Sequence, residues 1–367
     1  MAILNDGQEL NKTYQVERLL GEGGFAEVYR VKHRFLGRQA MKVFKSQGLT
    51  TKAIEKQLEE AVLLSQMGHP NIIRVFDANT IEIKNKNFGY FTMEYVASGS
   101  LDQFWRSFRS QLMPVEIVLD LMIQVCRGLS IAHGLKPPIV HRDVKPQNLL
   151  VGYDGDGLRL KISDFGLAKR ANPLTLMVSA RGTSIFKAPE VYRESNIDSC
   201  AGDVWALGVT MYLLLTDKLP FPLIDKEGVE DIPLFENPLL PPSIYNINVD
   251  DTFDQIVLKA LSISMKDRYS YAMELLADLE KLNASMDPEK HGKKLTSTEN
   301  AKSVLGPIGS FDQSSAEKMI SQASSLAQQY NKLSEAADLM EQAFNKWPAF
   351  REHYEYKVKL WRKGIMN

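Results

Sequence analysis

The stretch His141-Arg142-Asp143-Val144-Lys145-Pro146-Gln147-Asn148, followed by Asp164-Phe165-Gly166, sets two acids, a lysine and an asparagine at the spacings that phosphoryl transfer from a nucleotide needs. In that reaction a loose transition state spreads charge over the phosphoryl oxygens. A catalyst's work is then positioning and electrostatic stabilisation rather than covalent chemistry. Carboxylate and amide oxygens are hard donors that suit Mg2+. A single Asp, Asn or Lys is ordinarily a solvated loop residue; the joint set in register is what points to this chemistry.

Upstream, Gly21-Glu22-Gly23-Gly24-Phe25-Ala26-Glu27-Val28 lies between two strand-like runs. Glycines let the backbone approach phosphate oxygens and donate its N–H groups to them. Alone this is a weak signal, since a glycine turn between strands is more often only a turn. Its position before a strand speaks against a dinucleotide fingerprint, which must open a helix. Lys42 follows in Ala40-Met41-Lys42 on a third strand. A lysine on a half-buried strand usually snorkels to the surface. Here a helix over 52–67 offers Glu60 as an ion-pair partner that would hold the ammonium toward the α- and β-phosphates. Glu59 points some ~100° away around the helix. Glu60 is the better choice because Leu58 and Leu63 flank it at i−2 and i+3.

These residues need elements to position them. The chain of 367 residues, 44% hydrophobic and 24% charged, has the composition of an ordinary soluble globular protein. A net charge of −1 gives no global push toward nucleic acid or anionic membrane. The N-terminal residues lack a basic region followed by an apolar run. The longest apolar run, Val204 to Thr216, is shorter than the ~20 residues of a membrane span and reads as a core helix. Two cysteines, Cys126 and Cys200, form no ligand cluster, so neither a disulfide nor a metal site is expected of them. A cytoplasmic protein is the expectation.

Residues 14–45 alternate apolar and polar side chains around Gly21, Gly23, Gly24 and Gly37, which predicts a strand meander. Residues 52–67 switch to helical period, with Ile54, Leu58, Val62 and Leu63 expected on one face. Short strands are expected at Ile72–Phe76 and Phe88–Tyr95. Helices dominate from Leu101 to about Asn283, among them 115–133, 201–216, 252–263 and 271–283. A hairpin interrupts them at 149–162.

With the motifs in this order, the span of about 14–285 resembles a eukaryotic-type (Hanks-type) serine/threonine protein kinase. The resemblance implies an α+β, two-lobed fold with a C-terminal all-α segment. A small β-rich N-lobe with helix C would occupy 14–95 and a large α-helical C-lobe 96–285. An extension (1–13) would precede them; a Gly-, Pro- and Ser-containing linker (286–315) and a helical tail (316–367) would follow. ATP and Mg2+ are the implied cofactors and proteins the implied substrates. Asp143 would orient the substrate hydroxyl and accept its proton, and Lys145 would neutralise the transferring phosphoryl group. Asn148 and Asp164 would hold Mg2+, and Lys42 with Glu60 would order the phosphates. The nucleotide would be lined by Gly21, Gly23, Gly24, Val28, Ala40 and Leu150. Met93 would be the gatekeeper, and the backbones of Glu94 and Val96 would meet the adenine edge.

The same resemblance speaks to specificity and control. Lys145, two residues after Asp143, and Thr183, ahead of Ala188-Pro189-Glu190, match the serine/threonine pattern. Arg142 before Asp143 implies regulation by phosphorylation between Asp164 and Glu190, with Ser179, Thr175 and Thr183 as candidate hydroxyls. Glu190 and Arg268 match the pair that ties this segment to a late helix. Asp203, Trp205 and Gly208 match a central helix whose aspartate braces the catalytic loop. The chain departs from the pattern at Ala26, at Phe186-Lys187 and at Asp217-Lys218, where the family often has glycine.

Beyond the linker, Ala336, Met340, Ala343 and Pro348 fall at spacings of 4, 3 and 5, resembling the second helix of a tetratricopeptide repeat, with Ala323 and Tyr330 on the first. Tyr354, Val358 and Trp361 would cap it, and the Lys357, Lys359, Arg362, Lys363 cluster reads as a solvated face. Such a tail either binds a partner protein or packs as a stabilising appendage. Two other function classes are set against an active enzyme. A pseudokinase-type nucleotide-binding scaffold is opposed by the intact Lys42, Asp143, Asn148 and Asp164. A small-molecule phosphotransferase of related fold generally lacks the Ala-Pro-Glu segment and the Arg268-type closure.

Overall fold

The computed structural model describes residues 2–45, 51–108, 111–154, 157–165, 184–193, 199–221, 238–286, 313–329, 332–346, 354, 357–358 and 360–362. The chain forms two units. One comprises Met1–Gln103, Met113–Gly152 and Arg159–Asp287; the other comprises Phe104–Leu112, Tyr153–Leu158 and Pro288–Asn367.

The first unit opens with an antiparallel sheet. Its strands are β1 (Glu9–Leu10), β2 (Tyr14–Glu22), β3 (Ala26–His33), β4 (Gly37–Phe44), β5 (Val75–Ile83) and β6 (Lys86–Glu94), in the order β1-β2-β3-β4-β6-β5. Period-two alternation sends Tyr14, Val16, Tyr29, Val31, Met41, Val43 and Tyr90 to one face, where they form a core with Leu4 and Leu10. The segment before residue 14 thus joins the sheet: β1 pairs Glu9 with Gln15 and Leu10 with Tyr14. Its backbone is also tied down, since Leu4 N–H donates to the Tyr29 hydroxyl at 3.0 Å.

Two expectations need correction here. The strand predicted at Ile72–Phe76 instead starts at Val75 and runs to Ile83. β5 is an edge strand with most of its side chains exposed, and within residues 77–83 only Ile81 and Ile83 turn apolar side chains to the core, too short an alternation to mark a strand. Helix α1 (Thr51–Gln66) forms as expected, but it buries Ala61 and Leu64, whereas Val62 is 53% exposed. The run Ala61-Val62-Leu63-Leu64 circles a full turn, so its period could not choose the inward face.

The helical lobe follows, with α2 (Leu101–Arg106), α3 (Val115–His133), a hairpin of β7 (Leu149–Asp154) and β8 (Gly157–Ile162), α4 (Pro189–Arg193), α5 (Cys200–Thr216), α6 (Asp251–Ala260) and α7 (Ala272–Ser285). The apolar run from Val204 to Thr216 makes α5 the centre of this lobe, buried on nearly every side. Among the described residues, no helix is long and apolar enough to cross a membrane. Ser199 Oγ caps α5 by accepting from Gly202 N–H at 3.0 Å. At the other end Asp217 takes a left-handed conformation, φ 55°, and its N–H closes on Leu213 O at 2.9 Å. Gly208 lets the end of α6 come close: a Cβ there would lie 2.9 Å from Leu261 Cγ and 3.1 Å from Ala260 Cβ.

In the second unit, α8 (Gln313–Leu326) and α9 (Leu333–Lys346) pack around Ala323, Ala336, Met340, Ala343 and Phe344, and Val358 and Trp361 join that core. Arg362 does not lie on a solvated face as the charge run suggested. Its guanidinium pairs with Asp338 and with Glu341 at 3.0 Å, and donates to Ser334 O at 3.0 Å. Tyr330 and Pro348 lie outside the described residues.

Candidate active site

The loop between α3 and β7 is fixed from below by α5. The Asp203 carboxylate, 2% exposed, accepts from His141 N–H at 2.7 Å and from Arg142 N–H at 2.8 Å. His133 Nε2 lies 3.1 Å from the same carboxylate, while its Nδ1 accepts from Ala272 N–H. The His133 ring proton therefore sits on Nε2 and is donated to Asp203. A buried carboxylate needs such partners, and here each is a donor.

His141, quoted in the sequence but given no role there, connects the loop to the Asp164 turn. Its ring is fully buried; Nε2 donates to Ser163 O at 2.9 Å and Nδ1 accepts from Asp143 N–H at 3.2 Å. It also packs against Phe165, with ring centroids 4.6 Å apart. Arg142 at φ 72° and Asp164 at φ 61° both occupy the left-handed region, which costs a non-glycine residue roughly 1–3 kcal/mol and concentrates at functional sites.

Three of the expected residues converge next to this frame. Lys145 Nζ lies 2.8 Å from Asp143 Oδ2. Asn148 Nδ2 donates to the same Oδ2 at 2.9 Å and to Asp143 O at 2.8 Å. Asn148 is positioned by the short 3-10 turn Pro146–Asn148 that leads into β7, and its own carbonyl accepts from Ser163 N–H and Oγ. Asp143 and Lys145 side chains are 18% and 17% exposed, so solvent still reaches the pair.

Lys42 is paired across the sheet with Val28 on β3 and Phe91 on β6. Its ammonium passes 5.8 and 5.6 Å from the ring centroids of Phe44 and Phe91 and meets the Asp164 carboxylate. The described partner is thus Asp164; the Glu60 side chain lies outside the described residues. Burial would raise the Asp164 carboxyl, but the Lys42 charge and hydrogen bond, with Lys145 acting in the same sense, hold it below the usual carboxylate value.

The glycine turn joins β2 to β3, with Gly21 opposite Val28 and Gly23 N–H donating to Ala26 O at 2.8 Å. Ala40 sits opposite Met93, both buried, at the end of the sheet where β6 stops at Glu94. Lys161 on β8 pairs with Glu94 at 2.9 Å. Val96 lies against β7, close enough that a Cβ on Gly152 would be 3.1 Å from it, and Leu150 pairs with Ser100. The candidate nucleotide residues therefore fall on β2, the turn after it, β3, β4, the end of β6 and the residues just beyond it, and β7.

After the turn at 184–186, Glu190 on α4 meets Arg268, which donates at 2.8 and 3.1 Å to its two oxygens. Thr175, Ser179 and Thr183 lie outside the described residues. Lys187, seen in the sequence only as a departure from pattern, donates to Arg142 O at 2.5 Å. No helix or strand period could have assigned that contact.

Asp164 and Asn148 supply the oxygens that a divalent cation prefers. Because Nδ2 of Asn148 is committed to Asp143, its Oδ1 is the atom left for a cation. The residues fit Mg2+ held jointly with nucleotide phosphates. Among the described residues no group of three His, Cys, Asp or Glu side chains forms a metal cluster, so such a cation would rely on phosphate and water for further ligands.

Comparison with known proteins gives a consistent result. The family model described as protein kinase domain matches residues 14–279. Serine/threonine-protein kinase PknB of Mycolicibacterium smegmatis is 30% identical over 309 residues, covering 82% of this chain and 47% of that protein. Serine/threonine-protein kinase PrkC of Bacillus subtilis is 30% identical over 280 residues, covering 75% of this chain and 41% of that protein. The chain thus spans less than half the length of these relatives. The crystal structure of the Mycobacterium tuberculosis PknI kinase domain superposes with a TM-score of 0.57 at 23% identity, covering 77% of this chain and 99% of that one, a likeness of fold.

Proposed function

The chain belongs to the protein kinase family, and from that premise we propose that it transfers the γ-phosphoryl group of ATP to serine or threonine hydroxyls of proteins. The observation that carries the proposal is the convergence of Lys145 and Asn148 on one oxygen of Asp143. The two donors orient the Asp143 carboxylate, leaving it as the base for an acceptor hydroxyl. Lys145 also places a fixed positive charge where the phosphoryl oxygens gain negative charge. Lys42 neutralises anionic groups beside Asp164 at the end of the sheet. Asp164 and Asn148 would hold Mg2+ bound with ATP, which would supply further neutralisation of the phosphates.

The names of the relatives and the Lys145 position both favour serine and threonine over tyrosine. The test is incubation of the full chain with γ-labelled ATP, Mg2+ and casein, followed by phosphoamino acid analysis. Label on serine or threonine supports the proposal; label on tyrosine alone, or none, refutes it. The Asp143→Asn protein separates this reading from a pseudokinase-type scaffold: an enzyme loses transfer with this change while keeping nucleotide, whereas a scaffold transfers nothing with either residue.

Regulation and partners extend the same proposal. Arg142 next to Asp143 fits an enzyme that responds to phosphate on the 164–190 segment, with Ser179, Thr175 and Thr183 as the acceptors. Unchanged activity in a Ser179→Ala protein would count against Ser179. The α8–α9 pair fits a single tetratricopeptide-like unit, and a lone unit buries its faces only by packing on something else. We assign it a protein partner and the whole chain a cytoplasmic setting. Truncation near residue 290 that changes neither activity nor protein association would remove the first assignment.

A further inference from the structure

We propose that Lys187 is a positioning residue for Asp143, acting through the carbonyl of Arg142; the inference rests on the phosphoryl-transfer reading of the site. Arg142 directly precedes Asp143 and stands at φ 72°. The left-handed conformation is strained for a residue with a Cβ, so it persists only where neighbours over-determine it. Two charged side chains do so. The Asp203 carboxylate takes the Arg142 N–H at 2.8 Å, and the Lys187 ammonium donates to the Arg142 carbonyl at 2.5 Å.

These two bonds act on different peptide groups. The N–H belongs to the peptide joining His141 to Arg142, whereas the carbonyl belongs to the peptide joining Arg142 to Asp143. Holding both fixes φ and ψ of Arg142 together, and ψ sets the direction in which Asp143 leaves the backbone. A hydrogen bond from an ammonium is charge-assisted and stronger than one between neutral groups. Lys187 stands one residue before Ala188-Pro189-Glu190, so it joins that segment directly to the catalytic loop.

The surroundings suit this role. Lys187 is half-buried and lines a pocket with Asp143, Val144, Phe186 and Val191. Most of that wall is apolar, which strengthens the ammonium–carbonyl bond relative to water. A lysine whose task was solubility would extend outward. This one turns inward to a backbone carbonyl one residue from the proposed base.

The test compares wild type, Lys187→Met and Lys187→Arg as full chains, with ATP and casein each varied and thermal unfolding measured alongside. The expected result is a fall in kcat of about 10- to 100-fold in Lys187→Met, as for a base displaced by a fraction of an ångström. KM for ATP should stay within roughly threefold, and Lys187→Arg, which still donates, should recover most of kcat. An active wild type with Lys187→Met kcat within about twofold overturns the inference and leaves the phosphotransfer reading standing. So does a change confined to KM for casein, which would make Lys187 a substrate contact. Equal loss in both variants with lowered unfolding midpoints also overturns it, as a merely structural role. A wild-type chain that phosphorylates neither itself nor casein removes the phosphotransfer reading, and this inference with it.

Discussion

Arg268 grips Glu190 with both prongs of its guanidinium, at 2.8 and 3.1 Å, from a position where its own side chain has no solvent exposure. The same group donates to Ser262 O at 2.9 Å and to Ala201 O at 3.1 Å, and lies 4.9 Å above the Trp205 ring. One arginine thus joins α4, the start of α5 and the loop after α6. Removing one partner of a buried pair strands the other charge, at a cost of about 3–5 kcal/mol. Arg268→Met should lose stability of that order in urea unfolding followed by tryptophan fluorescence. A loss under about 1 kcal/mol would place the pair among weakly contributing surface bridges.

Asp217 ends α5 in the left-handed region, where glycine is the favoured residue. It also puts a carboxylate near the negative end of the helix dipole. Asp217→Gly should therefore stabilise the chain by about 0.5–1 kcal/mol, read as a rise in the unfolding midpoint. A destabilised variant would mean that the Asp217 side chain makes a contribution of its own.

Burial pushes the Cys200 thiol up to about 11 and the Cys126 thiol higher still. Native protein at pH 8 should therefore react with Ellman's reagent far more slowly than denatured protein, which exposes both thiols. The sign for stability follows. The folded state keeps the Cys200 proton to a higher pH than the unfolded chain does. Its contribution is intact below the ordinary thiol value and is lost as pH rises from there toward 11. Cys200→Ala should flatten that part of the urea-midpoint profile. Rapid labelling of native Cys200 would contradict the assignment.

Much of the site was legible because its residues are close in sequence and its chemistry demands particular types. Asp143, Lys145 and Asn148 lie within six residues, and the structure brings all three together. Helices α3 and α5 were equally plain, α3 from its helical apolar period and α5 from an apolar run too short to span a membrane. What could not be read depends on distance or on weak pattern. Lys42 and Asp164 are 122 residues apart, and no local period joins them; the Glu60 side chain, expected beside Lys42, lies outside the described residues. β5 gave only the short alternation Ile81-Glu82-Ile83 because it lies largely exposed at the sheet edge, and β1 is only two residues long. Lys187 looked like an irregularity in a motif until its contact with Arg142 O was in view. Arg362 looked solvated because a charge run says nothing of the acids on another helix.

The central claim is that Asp143 is the base for phosphoryl transfer. Its most direct test is the transfer rate from ATP by the full Asp143→Asn chain, with ATP affinity measured on the same protein. Asparagine keeps the shape of the side chain but cannot take a proton at neutral pH. The account predicts a rate loss of at least about 10²- to 10⁴-fold, with ATP affinity within roughly threefold of wild type. Transfer at the wild-type rate by a folded Asp143→Asn protein would contradict it.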